Sequence, residues 1–231
     1  MPIELSSLGL KASARLLPEL AAFYGGRLGL PATTEGEDRL AVEVGESSLE
    51  FRSDGGSPSY HFALLVPGDR FDAAQAWARE RVELLPDRET GEIVFDFTNW
   101  DALAVYFHDP AGSIVELISH RGVGASGVTG PFDATELRGI SEIGIVCDPP
   151  TAAAELEREL GVELWDGTVE GENRLAFVGE KARTLILCRA GRPWLPTGRP
   201  AEPHPVEVVL HGARAGSVAL DVTGSVSVTA S

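Results

Sequence analysis

Lysine is almost missing from this chain. Of 19 basic residues in 231, only Lys11 and Lys181 are lysines; 35 residues are Asp or Glu, and the formal net charge is −16. A chain without a basic footprint is not built for a nucleic-acid backbone or an anionic membrane surface, so both are excluded as partners. Long apolar runs are missing too: none approaches the roughly 20 residues of a membrane span. MPIELSSLGL at the N-terminus has neither the basic start nor the apolar core of a secretory signal. Cysteine is limited to Cys147 and Cys188, too few for a disulfide framework and not in a CxxC pair. Both lie in apolar runs, IGIVC and TLILC, and read as buried, inert thiols. The nucleophile elbow, the phosphate loop and a GxGxxG placed after a strand are all absent. These absences leave a soluble, cytoplasmic globular chain with an ordinary apolar fraction of 43%.

The most informative segment present is AVYFHDPAGSIVEL, residues 104–117. It reads as strand, tight turn, strand. Pro110 fixes φ in the turn, Gly112 supplies a positive φ, and Asp109 bonds its own backbone. Alternation after the turn puts Glu116 on one face with Ile114 and Ile118. A carboxylate on an apolar face is costly to bury unless it has a partner. Tyr106 and His108 share a face of the preceding strand, where either can donate a hydrogen bond to a substrate oxygen.

Repeats organise the rest. RLAVEVGESSLEFR (39–52) and RLAFVGEKARTLILCR (174–189) each show a strand, a Gly-Glu turn, a second strand and a closing Arg. Each is preceded by a strand and a helix. HFALLV (61–66), the helical spacing of Phe71, Ala74, Ala78, Val82 and Leu85, and the strands through 120 repeat that order. The expected architecture is α+β: tandem βαβββ modules forming a curled mixed sheet with a cleft, plus a third partial module. Modules at about 1–53 and 59–120 are expected to make one domain, 1–120. Residues 121–137 form a Gly-rich linker, and 138–231 hold the third module with C-terminal strands or a tail. The run SDGGSPS (53–59) is a shorter linker. A third module left unpaired predicts a homodimer, or cover by the tail strands.

The doubled βαβββ order, FYGGRLGLP (23–31) and DPAGSIVEL (109–117) together resemble the vicinal oxygen chelate superfamily, which includes glyoxalase I, extradiol dioxygenases and bleomycin resistance proteins. Ser113 stands where Asn is usual. The resemblance implies a divalent metal, of the Fe, Mn, Zn or Ni kind, held by the first and last strands of each module. His61, Glu116 and Glu50 match three of those positions and Gly9 falls near the fourth. Ser141 and Ile186 fall near the corresponding positions of the third module, so no metal is expected there. The implied function is a metal-dependent, glyoxalase-like lyase or isomerase, or a ring-cleaving dioxygenase, acting on a small-molecule substrate. Glu50 or Glu116 would serve as base, with Tyr106 and His108 near the substrate. The alternative is a metal-free binding or resistance protein with an acidic, aromatic-lined cleft suited to a cationic ligand.

Overall fold

The computed structural model describes residues 2–53, 56–221 and 224–231. Asp54 and Gly55 of the SDGGSPS linker, and Val222 and Thr223 of the tail, lie outside them. The first module comprises β1 (Glu4–Ala12), α1 (Leu17–Ala21, extended by a wider turn over Ala22–Arg27), β2 (Ala32–Glu35), β3 (Arg39–Val44) and β4 (Ser47–Ser53). The second comprises β5 (His61–Val66), α2 (Phe71–Arg79), β6 (Phe95–Phe97), β7 (Ala102–His108) and β8 (Ile114–His120). The third comprises β9 (Gly139–Val146), α3 (Pro149–Leu160), β10 (Leu164–Gly167), β11 (Ala176–Glu180) and β12 (Arg183–Cys188). A small hairpin, β13 (Pro193–Trp194) with β14 (Arg199–Pro200), leads into β15 (Val206–His211), β16 (Gly216–Ala219) and β17 (Val226–Ala230). The class is α+β, and the long mixed sheet stays open, running β16-β17-β15-β1-β9-β5-β8-β7-β6 along its main path.

Local chemistry places the elements. Asp148 caps α3 through the Thr151 backbone N–H, Pro149 opens it, and Gly161 closes it in the left-handed region. The two phrases that carried the resemblance touch: the Tyr24 hydroxyl donates to Asp109 Oδ2 at 3.0 Å, and Asp109 Oδ1 accepts from the Ser113 N–H at 2.8 Å. The Asp109 carboxyl is buried, which lifts it to about 6 against the pull of those hydrogen bonds.

In each module the first and last strands run parallel: β1 with β4, β5 with β8, β9 with β12. The tail repeats this with β15 and β17, and no helix lies between them among the described residues. First strands then pair antiparallel across modules, β5 with β9 and β1 with β15. The second module therefore shares its cleft with the third, and the first module with the tail. The two halves meet where β1 pairs with β9 at one register position, Leu5 to Ile140, and where the Ile140 N–H donates to Ser47 Oγ at 2.9 Å. Because the tail supplies the first module's partner and the third pairs with the second, no module is left over. The premise from which a homodimer was expected does not hold.

Candidate functional site

The site follows from strand register. Ala63 on β5 lies opposite Glu116 on β8 and opposite Glu142 on β9. Tyr106 lies opposite Glu116, and Thr184 opposite Glu142. Tyr106, Glu116, Ala63, Glu142 and Thr184 thus stand abreast on one face, and the small Ala63 side chain leaves room between two carboxyl groups. His61, two residues before Ala63, shares that face. Its Nε2 lies 3.1 Å from Glu116 Oε2, with His61 5% and Glu116 2% exposed. Ile114 and Ile118 pack on the same face within a second apolar cluster, with Tyr106, Phe177, Ile186 and Trp194. His61, Tyr106, Glu116, Glu142, Phe177 and Trp194 line a cavity of about 50 Å³, with Phe97, Trp100 and Arg192 at its other walls.

Burial sets the electrostatics. The His61 ring is driven down to about 3, first by burial and then by the charges of Arg192 and Arg199. Glu116 is raised to about 8 by burial, with Tyr106 hydrogen-bonding against the rise. Burial and then the Glu116 charge hold Glu142 well above the carboxylate range. Burial and then Glu116 raise the Tyr106 phenol as well. The site therefore holds a neutral imidazole, a phenol and two carboxyl groups that resist ionising together. His61 Nδ1 and Glu142 Oε1 are buried without a hydrogen-bond partner among the described residues.

One wall is unusual. The Trp194 indole, carried on the β13–β14 hairpin, lies 4.9 Å from the His61 ring between centroids. A Cβ on Gly144 would sit 2.7 Å from that indole, so the ring fits only because position 144 is glycine. Arg199 Nη1 ties the hairpin to the 109–113 turn by donating to the Gly112 carbonyl at 2.7 Å.

Of the residues expected from sequence, His61, Glu116 and Tyr106 come together here. His108 lies at the exposed end of β7, its Nδ1 3.2 Å from the Ser113 carbonyl, and does not line the cavity. Glu50 stands in the other cleft. It pairs with Arg39 at 2.8 Å and Arg52 at 2.9 Å, and lies opposite Gly9. Ser141 points away, donating to the Ala182 carbonyl. Glu142, one residue on, faces the cavity instead. Its signal was the same as Glu116's, a lone carboxylate in an apolar strand. Trp194 and Arg192 carried no comparable signal.

A divalent cation suits the donors His61, Glu116 and Glu142 in kind, an imidazole and two carboxylates with one oxygen unpartnered. It does not suit their arrangement: among the described residues no three His, Cys, Asp or Glu side chains stand close enough to hold one. Nor does any described helix have the length and apolarity to cross a membrane.

The sequence matches no protein-family model and no curated protein. Solved structures do match. A candidate dioxygenase from Bacillus subtilis aligns over 98% of this chain and 84% of its own, at 15% identity and TM-score 0.58. Glyoxalase I from Zea mays aligns over 90% and 74%, at 14% identity and TM-score 0.51. The chain shares the α+β fold of these two proteins, with its mixed sheet left open.

Proposed function

We propose that the chain is an enzyme acting on a small molecule in the cleft between its second and third modules. The reaction class is proton transfer at a carbon beside a carbonyl. One observation carries this reading: the His61–Glu116 pair, buried at 3.1 Å beside Glu142, at the floor of an aromatic cavity that opens to solvent. In a water-poor site a carboxyl group beside a neutral imidazole is placed to give and take a proton. Tyr106, opposite Glu116, is placed to donate a hydrogen bond to a substrate oxygen as negative charge develops there. The fold shared with glyoxalase I supports the class of chemistry only by analogy.

The test is deuterium exchange from D2O into hydroxyacetone and related 2-hydroxyketones, followed by NMR. Wild type should exceed the buffer rate, and Glu116→Gln should lose about 10²- to 10⁴-fold of that excess. Exchange no faster than buffer in the wild type, or undiminished in the variant, refutes the reading.

A second reading, a divalent-metal enzyme, is favoured by the unpartnered Glu142 Oε1 beside Glu116 and His61. It requires these side chains to draw together on a cation. Manganese or zinc should then raise the melting temperature of the wild type and leave His61→Ala unmoved; equal behaviour of the two refutes it.

A further inference from the structure

Some arginines in this acidic chain are answered by acids and others are not. Arg39, Arg52, Arg70, Arg121, Arg158 and Arg189 each hold an ion pair. Arg192 does not. Half-buried, it lines the aromatic cavity, yet among the described residues its guanidinium has neither a hydrogen bond nor a carboxylate partner. Its contact is with the face of Trp194, 5.5 Å from guanidinium carbon to ring centroid. A cation withdrawn from water without a counter-charge is costly, and a cation–π contact offsets only part of that cost. Five donors in a rigid fork thus stand at the cavity with no partner among the described residues, only half shielded from water. Around them stand flat apolar surfaces: Phe97, Trp100, Phe177 and Trp194. Trp100 and Phe177 already meet edge to face at 4.5 Å.

We propose that Arg192 anchors an anionic group of the ligand, and that the ligand class is a small planar aromatic acid. The ring lies against the aromatic walls, and the acid meets the guanidinium as the counter-charge the chain omits. This deepens the proposed function, on whose cleft it rests. It also reverses the ligand charge suggested by net charge alone: the overall −16 favours a cation, but the free charge at the cavity is positive.

The experiment compares benzoate, benzamide and benzylammonium by saturation-transfer NMR and titration, with wild type, Arg192→Gln and Arg192→Lys. Benzoate should bind wild type more tightly than the other two. It should weaken about tenfold or more in R192Q and recover in part in R192K, because only a charged donor restores the pair. Benzamide should bind wild type and R192Q alike. Unchanged melting temperatures would show that the variants fold. Equal benzoate affinity in wild type and R192Q overturns the anchor while leaving the cleft reading intact. A preference for benzylammonium, or no binding of any of the three, overturns the ligand class. Hydroxyketone exchange then judges the cleft reading separately.

Discussion

The two halves of the sheet build the same row of residues twice and finish it in opposite ways. In one, Gly9 stands between Glu50 on β4 and Glu207 on β15. In the other, Ala63 stands between Glu116 on β8 and Glu142 on β9. Each row sets two glutamates beside a residue small enough to part them. In the first half the charges are answered. Arg39 and Arg52 pair with Glu50, and Arg52 and Lys11 pair with Glu207. Burial raises Glu50, but its bonds to Arg39 and Arg52 outweigh this and the net shift is downward. In the second half no Lys or Arg among the described residues pairs with either carboxyl group. His61 stands beside Glu116, aromatic rings surround the pair, and both carboxyl groups are raised. The comparison teaches where to look: a motif neutralised by its own chain is structure, and the same motif left open is the candidate for chemistry.

The largest effect that probes this difference comes from the two glycines. Gly144→Ala should destabilise by about 1–3 kcal/mol, because the new methyl would sit 2.7 Å from the Trp194 ring and the packed hairpin must shift. Gly9→Ala should cost less, since its methyl meets Glu207 Cβ at 3.1 Å and asks a movement of a few tenths of an ångström. Urea unfolding of the pair measures both. An equal or smaller loss at 144 would show that Trp194 is not seated against β9, and the wall of the cavity would need another account.

Much of this was legible in the sequence and some was not, for reasons that differ residue by residue. Strand periodicity and the Asp-Pro-x-Gly turn carry the module order, and a carboxylate in an apolar strand marks Glu116. The partner of each module was not legible, because it depends on which first strands pair. βαβββ units of similar pattern offer several choices. Placing Glu50 with His61 assumed that sequential modules pair. The register β1–β15 sends Glu50 to the other cleft and brings Glu142 to His61. Trp194 was beyond reach because its place is set by a loop folding across the sheet, although a glycine inside a strand, Gly144, hints at a close approach.

Smaller effects, of opposite sign in the two halves, appear with pH. Glu116 is raised in the folded state from 4.5 to about 8. Its contribution to stability is therefore full below pH 4.5 and is lost as pH rises toward 8. Glu116→Gln cannot ionise, so its melting temperature relative to wild type should climb across that window and level off above it. His61 works the other way, its contribution full above 6.5 and lost as pH falls toward 3.

Glu50 is lowered, so its contribution is present above 4.5 and is lost as pH falls. Arg39 and Arg52, with side chains 37% and 41% exposed, leave the pairs well screened. Glu50→Gln should therefore cost no more than about 1 kcal/mol at pH 7 and nothing measurable in acid. It should leave hydroxyketone exchange untouched, since the residue stands outside the cavity. Two isosteric changes in matching positions would then move stability in opposite directions at pH 8. The same sign for both would mean that the two rows are solvated alike, and that the second half holds no more of a site than the first.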